Sequence, residues 1–341
     1  MPNVRVIEGP AAPPPSLARV REAAAASRVA PLRIGVVQHG WAADGLTEWL
    51  DAAIDAVAGR GARIAFLPEV TLSRYPADVL PDGAAADLAE DLETGPTVAF
   101  ARNAAARAGI YLHTSLYRRP PEDDEGGDTT DGLGLNTAII VAPSGEIVAA
   151  ANKLHIPVTA GYYEDKYFRP GPAGPDDPYR VYVLDGLPGA RLGLPTCWDE
   201  WFPEVARAYA LGGANIVVYP TAIGSEPDHP DFDTQPLWQK VIVGNGIANG
   251  LFMVVPNRTG QETKPDGTAG NTFYGSSFVS DPYGRILAQA PRDEPCALVA
   301  DLDLTQRADW LDLFPFLRTR RPDTYAALTR PVDPDLPYGA R

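Results

Sequence analysis

The stretch LPTCWDEWFPEVARAYALGGANIVVYPT, residues 194–221, places a cysteine between a predicted strand and a predicted helix. Apolar residues lead up to Cys197, Pro203 and Glu204 stand where a helix would begin, and NIVVYPT has the composition of a buried strand. Backbone N–H groups at a helix start can lower the pKa of a nearby thiol and can hold an oxyanion. The alternative is that Cys197 is a small buried side chain, the usual role of a free cysteine.

Strands and helices alternate along most of the chain. Apolar strands are predicted at PLRIGVVQ (31–38) and ARIAFLPE (62–69), with a helix between them whose apolar residues recur at three and four positions. This alternation predicts one α/β catalytic domain over residues 31–318. The proline-rich residues 1–30 are predicted to be a partly flexible N-terminal extension, and the basic residues 319–341 a C-terminal arm.

Composition excludes several classes of protein. A net charge of −15 argues against a nucleic-acid surface, and no apolar run reaches the ~18 residues of a membrane span. Two cysteines, Cys197 and Cys296, cannot form a disulfide framework in 341 residues, which fits a reducing compartment. The N-terminus lacks the apolar core of a secretory signal, so a cytoplasmic location is expected.

Two further polar residues follow apolar strands. Glu69 ends the segment IAFLPE, and Lys153 follows an apolar strand in AANKLHIP. Each alone could be a surface residue, but together with Cys197 they supply the groups for covalent hydrolysis. The carboxylate can take the thiol proton, the thiolate can attack a carbonyl or nitrile carbon, and the ammonium can stabilise the oxyanion.

At this point the sequence resembles the nitrilase superfamily of carbon–nitrogen hydrolases. The resemblance spans roughly residues 32–328. The motifs that carry it are FLPEV (66–70), NKLHIP (152–157), CWDEWFPEVARAYALGGANIVVYPTAIG (197–224), PNRTG (256–260) and YGSSFVSDPYGRIL (274–287). It implies a four-layer α-β-β-α sandwich completed by dimerisation. It also places the family's catalytic triad on Glu69, Lys153 and Cys197, a supporting glutamate on Glu164, and a second oxyanion donor on the backbone N–H of Trp198.

The motifs CWDEWFPE and PTAIGSEP are most similar to N-carbamoylputrescine amidases, with β-ureidopropionases as near relatives. The expected reaction converts an N-carbamoyl amine to amine, carbon dioxide and ammonia through a cysteine thioester. An aliphatic amidase or nitrilase activity remains an alternative, and a non-catalytic binding member of the fold a remote one. The resemblance implies a small-molecule amide or ureido substrate, no metal or organic cofactor, and a homodimer or larger homo-oligomer. The residues expected to bind substrate are Trp198, Tyr163, Glu226, Thr221 and Phe273.

The histidines offer a competing Cys–His arrangement. His155 lies two residues after Lys153, and it would be the base if Glu69 were not. The simpler interpretation is that His155 orders its own loop through hydrogen bonds. The remaining cysteine, Cys296, alternates with apolar residues in the manner of a strand and is expected to be part of the core.

Overall fold

Two large β-sheets face each other across an apolar interior in the computed structural model, which describes residues 2–10, 30–120, 131–171 and 177–332. Ile34 and Val36 of the first sheet share one core cluster with Val218 and Phe252 of the second. Helices cover the outer face of each sheet. The expected α-β-β-α sandwich is therefore confirmed, and a single chain supplies all four layers, whereas dimerisation stays a prediction.

The first sheet has seven strands. In spatial order they are β1 (Val6–Glu8), β14 (Cys296–Leu302), β2 (Leu32–Gln38), β3 (Ile64–Phe66), β4 (Tyr111–Arg118), β5 (Leu135–Val141) and β6 (Ile147–Asn152). β3 pairs with β4 in parallel, and two antiparallel steps lead from β4 through β5 to β6. β3, β4 and β6 consequently run in the same direction and end at the same edge of the sheet.

The second sheet has five strands. In spatial order they are β13 (Ile286–Gln289), β12 (Phe278–Ser280), β9 (Phe252–Val255), β8 (Ile216–Val218) and β7 (Leu192–Gly193). β7, β8 and β9 are parallel, so their carboxyl ends also share one edge. A separate antiparallel hairpin, β10 (Thr259–Thr263) with β11 (Ala269–Tyr274), follows β9 directly.

The described residues contain five α-helices. They are α1 (Leu46–Ala58), α2 (Pro96–Ala108), α3 (Pro203–Leu211), α4 (Gln235–Asn249) and α5 (Gln306–Leu313). Side chains of α1 and α2 pack on the outer face of the first sheet, and those of α3 and α4 on the second. The sequence predicted α1, between β2 and β3, and α3, which begins at Pro203, but α5 was not foreseen. None of these helices has the length and apolar character of a membrane-spanning segment.

Glycine permits close approach of a helix to each sheet. A Cβ atom added at Gly35 of β2 would lie 2.6 Å from the Val57 side chain of α1. One added at Gly193 of β7 would lie 2.5 Å from the ring of Tyr209 in α3. Both separations are shorter than real Cβ contacts, so any larger residue would push the helix away from its sheet.

Part of the N-terminal extension belongs to the first sheet, which the sequence did not predict. Val6–Glu8 pairs in parallel with β14, and the Gly9 N–H donates to the Val299 carbonyl at 2.8 Å. Residues 1 and 11–29 lie outside the described residues, so the predicted partial flexibility of the extension stays a prediction. In the C-terminal arm, residues 321–332 are mostly exposed and residues 333–341 lie outside the described residues.

We predict that a chain beginning at Val29 keeps its turnover rate per folded molecule but loses about 2 kcal/mol of stability. The loss comes from half-buried Val6 and Ile7, each of which contributes a fraction of the ~1.5–3 kcal/mol of a fully buried side chain. Urea unfolding and steady-state assays measure the two quantities. A chain beginning at Ala11 is the control, because it removes β1 and should lose the same amount. Lost activity together with dissociation of an oligomer would contradict the prediction.

Candidate active site

The three polar residues predicted from strand ends lie at the edge where the two sheets present their carboxyl ends. Glu69 follows β3, Lys153 follows β6 and Cys197 follows β7 after a short extended segment. All three side chains are buried. Carboxyl ends of parallel strands form the edge at which α/β sheets place ligands, so this arrangement marks the site.

Lys153 joins two carboxylates. Its Nζ atom lies 2.9 Å from Oε1 of Glu69 and 2.5 Å from Oε2 of Glu164, with all three side chains excluded from solvent. Burial alone would lower the pKa of Lys153, but Glu164 and Glu69 outweigh that effect and raise its pKa well above the usual value. The ammonium therefore stays charged at neutral pH.

The Glu69 carboxylate is fixed by hydrogen bonds from several elements. Besides Lys153, its Oε1 accepts from Nδ2 of Asn136 at 2.6 Å, and its Oε2 accepts from the backbone N–H of Ala222 at 2.9 Å. Asn136 was not predicted. It is a polar residue inside the buried strand LNTAIIV, and that irregularity was the available signal.

Cys197 has an unusual backbone and a thiol with a raised pKa. Its φ angle of 41° lies in the left-handed region, where non-glycine residues are uncommon, and its N–H donates to the Pro220 carbonyl at 3.0 Å. Burial, reinforced by Glu69 and opposed by Lys153, raises the pKa of the thiol well above its usual value. The prediction that this position lowers the pKa of the thiol was therefore wrong, because desolvation outweighs the nearby cation. Attack by this cysteine needs a base.

Glu164 is held between Lys153 and a tyrosine. The hydroxyl of Tyr75 donates to Oε1 of Glu164 at 2.7 Å. Burial raises the pKa of Glu164 to about 7, with Glu69 adding to the rise and Lys153 opposing it. Nothing in the local sequence around Tyr75 distinguishes it from a core aromatic residue, so this partner could not be predicted.

Arg258 organises the loop that carries Glu69. Its fully buried guanidinium donates to the Glu69 carbonyl at 3.0–3.1 Å, to the Ser73 carbonyl at 2.8 Å, and to the Val70 carbonyl. It also pairs with Oε1 of Glu262 at 2.5 Å. Val70 has a φ of 47°, strained for a β-branched residue, so these bonds hold a backbone that would otherwise relax. Arg258 lies in the PNRTG motif but was not singled out from it.

A small pocket of about 50 Å³ opens onto Cys197. Its lining residues are Pro157, Thr159, Tyr162, Glu164, Cys197, Trp198, Ala222, Ile223 and Glu226. Among the described residues, no lysine or arginine lines this pocket. Partial burial raises the pKa of Glu226, an effect that nearby His229 opposes. The pocket therefore offers two carboxylates, Glu164 and Glu226, and largely apolar walls beside the thiol.

Three residues expected to bind substrate lie outside this lining. Tyr163 is half-buried and donates its N–H to the Ala77 carbonyl, and the neighbouring Tyr162 lines the pocket instead. Thr221 is fully buried, and its hydroxyl donates to the Pro256 carbonyl at 3.0 Å. Phe273 is buried and packs edge-on against Tyr75. Their role in substrate binding therefore stays a prediction.

The histidines are engaged elsewhere or buried. Nδ1 of His155 lies 2.7 Å from Asp199, and its ring stacks on Phe202 at 3.7 Å. Burial, together with Arg258 for His39, lowers the pKa of both His39 and His113 to about 3. None of these three histidines lines the pocket, which favours Glu69 over a histidine base.

Comparison with known proteins gives a consistent result. Residues 29–311 match a protein-family model described as carbon-nitrogen hydrolase. The chain is 34% identical over 306 residues to the citrullinase of Francisella tularensis, which covers 89% of this chain and 99% of that protein. It is 35% identical over 235 residues to the N-carbamoylputrescine amidase of Solanum lycopersicum, which covers 68% of this chain and 73% of that protein.

Solved structures show the same similarity. A carbon-nitrogen hydrolase from Helicobacter pylori G27 aligns with a TM-score of 0.77 and 32% identity, over 88% of this chain and 98% of that chain. An amidase of the nitrilase superfamily from Nesterenkonia AN1, crystallised as a cysteine-to-alanine mutant, aligns with a TM-score of 0.66 and 25% identity, over 88% and 98% of the two chains.

We predict that Lys153→Met destabilises the fold by about 3–5 kcal/mol, because it leaves two buried carboxylates facing each other without their cation. The measurement is the urea unfolding free energy at pH 7. Lys166→Met is the matched control. Lys166 is half-exposed and pairs with Asp165 at the surface, so its loss should cost under ~1 kcal/mol. Equal stability of the parent and Lys153→Met would contradict the buried ion pair.

Proposed function

Because the chain belongs to the carbon–nitrogen hydrolase family of the nitrilase superfamily, and is thus a cysteine-dependent amidohydrolase, we propose that it hydrolyses N-carbamoyl amines with a cationic tail. N-carbamoylputrescine is the reference substrate. The observation that carries this proposal is the presence of Glu226 in the same pocket as Cys197, without a lysine or arginine among the described lining residues. A carboxylate in a half-desolvated pocket favours an ammonium group.

In the proposed mechanism, Glu69 takes the proton of the Cys197 thiol as the sulfur attacks the ureido carbonyl carbon. The raised pKa of the thiol makes this transfer necessary at neutral pH. The Lys153 ammonium and the Trp198 backbone N–H receive the negative charge that develops on the carbonyl oxygen. Glu69 then returns the proton to the departing nitrogen, and ammonia leaves.

The second half of the proposed reaction releases the enzyme. The carbon–sulfur bond formed in the first half leaves a carbamoyl thioester on Cys197. Glu69 takes a proton from water, the resulting hydroxide attacks the thioester, and the thiolate recovers that proton as it departs. The carbamic acid product then breaks down to the amine and carbon dioxide. Glu164 holds Lys153 throughout by the hydrogen bond described above.

Glu226 is held in place by the loops around it. The Gly224 N–H donates to the Tyr162 hydroxyl at 3.1 Å, and the Ser225 N–H donates to the Thr272 carbonyl at 2.9 Å. Both bonds tie the start of the Glu226 loop to neighbouring segments. An anchored loop lowers the conformational entropy that is lost when the Glu226 carboxylate binds the far end of a substrate.

The similarity to a citrullinase supports a second candidate substrate. Citrulline carries the same terminal ureido group, and its far end bears an ammonium and a carboxylate. Glu226 suits the ammonium, whereas the carboxylate would need a cationic partner that the described lining does not offer. The decisive experiment measures ammonia release from N-carbamoylputrescine, citrulline, N-carbamoyl-β-alanine, simple amides and nitriles. A preference for citrulline or for N-carbamoyl-β-alanine would replace the proposed substrate.

We predict that Cys197→Ala abolishes turnover, with a loss of at least ~10³-fold, while the fold survives. Parent enzyme quenched in acid during turnover should carry a covalent substrate fragment on Cys197, visible by mass spectrometry. The control is Cys296→Ala, which removes the other buried cysteine, in β14, and should keep turnover per folded molecule. Hydrolysis by folded Cys197→Ala would show that the nucleophile lies elsewhere, and an unmodified parent thiol together with no detectable hydrolysis would favour a binding protein.

We predict that Glu226→Gln weakens binding of N-carbamoylputrescine by about 10- to 100-fold, since a charge-assisted hydrogen bond contributes ~1.5–3 kcal/mol. The effect is measured by KM and kcat for three substrates that differ in the charge of the tail. The uncharged analogue N-butylurea should be unaffected, and N-carbamoyl-β-alanine should be a poor substrate for the parent and improve in the variant. Asp228→Asn is the matched control, because Asp228 is an exposed acid of the same loop outside the pocket lining. Equal losses of affinity in both variants would show that Glu226 has no specific role in binding the substrate.

A further inference from the structure

One carboxylate joins the turn that carries the cysteine to the loop that carries the lysine. The Asp199 side chain is fully buried, and its Oδ2 accepts the Thr196 N–H at 3.0 Å, which closes the turn around Cys197. Its Oδ1 accepts the backbone N–H of His155 at 2.9 Å and faces Nδ1 of His155 at 2.7 Å. Two segments 44 residues apart therefore meet on a single side chain.

Asp199 is bound by hydrogen-bond donors rather than by a cation. Within the described ranges, its only ion-pair partner is the His155 ring, and no lysine or arginine contacts it. A ring nitrogen that faces a carboxylate donates its proton, and the stacking of His155 on Phe202 fixes the plane of the ring. Hydrogen bonds from backbone N–H groups and a fixed ring have defined directions, so they fix the relative positions of the two segments more tightly than a mobile ion pair at the surface would.

We propose that Asp199 is a positioning residue that sets the separation between the two oxyanion donors, the Lys153 ammonium and the Trp198 N–H; this proposal rests on the oxyanion site of the proposed function. Trp198 lies inside the turn that Asp199 closes, and Lys153 lies two residues before His155. Misplacement by about 1 Å at such a site can cost ~100-fold in rate. Asp199 thus acts through its neighbours and does not touch the substrate.

The test compares Asp199→Asn with a matched buried aspartate. An amide at position 199 turns an N–H₂ group toward backbone donors, so one of the two segments loses its acceptor. Asp281 is the control. It is also fully buried and accepts the N–H groups of Tyr283 and Arg285 in the turn between β12 and β13, and it differs from Asp199 in pairing with Nε of Arg285 at 2.6 Å. Asp281→Asn should lower stability and leave turnover per folded molecule unchanged.

Three measurements distinguish an effect of Asp199 on the oxyanion donors from an effect on stability or on the reactivity of the thiol. The first is kcat and KM on the best substrate. The second is labelling of Cys197 by methyl methanethiosulfonate, which involves no carbonyl oxygen. The third is protection of Cys197 by butanal, which forms a tetrahedral thiohemiacetal whose oxygen occupies the oxyanion site. In Asp199→Asn we expect kcat and butanal affinity to fall about 100-fold, with KM and labelling changed less than about threefold.

A second pair of variants carries the test if Asp199→Asn does not fold. His155→Phe keeps the stacking on Phe202 and loses the ring donor, and butanal affinity should fall about 10-fold. His155→Asn restores a donor and should recover most of that affinity. Unchanged butanal affinity, a parallel fall in labelling, or an equal kcat loss in Asp281→Asn would each overturn the proposal. Failure of the parent to hydrolyse any ureido compound would instead reject the proposed function, because the butanal arm needs no substrate.

Discussion

The site depends on one buried arrangement, an ammonium between two carboxylates. Lys153 cannot lose its proton without leaving Glu69 and Glu164 facing each other in a medium of low dielectric. Its charge is therefore guaranteed at neutral pH, which an electrostatic donor to an oxyanion requires. Taking these groups out of water is costly, and the donors from Tyr75 and Asn136 offset part of that cost.

The same desolvation explains the resting state of the nucleophile. Removal from water and a nearby carboxylate keep the Cys197 thiol protonated even though an ammonium lies in the same site. A permanently ionised thiol would react with any electrophile that reached it, whereas in the proposed mechanism this thiol becomes nucleophilic only as Glu69 accepts its proton.

Residues of the second sheet and of the hairpin that follows it hold the loop of the first sheet that carries Glu69. Arg258 follows β9, yet its guanidinium binds carbonyl oxygens around Glu69, which follows β3. Glu262 of β10 binds both Arg258 and the N–H of Tyr75, the residue that contacts Glu164. A change at the hairpin would therefore reach both carboxylates of the site through backbone hydrogen bonds.

Sequence patterns and tertiary contacts determined different parts of this protein. Periodic apolar residues were sufficient to predict the strands that lead to Glu69, Lys153 and Cys197, and Pro203 marked the start of α3, because those signals are local. The strand at Val6–Glu8, the Arg258 contacts and the Asp199 bridge could not be predicted. They join short segments to partners 44 to nearly 300 residues away. Such segments have no periodicity of their own, and only the folded chain brings a donor to its acceptor.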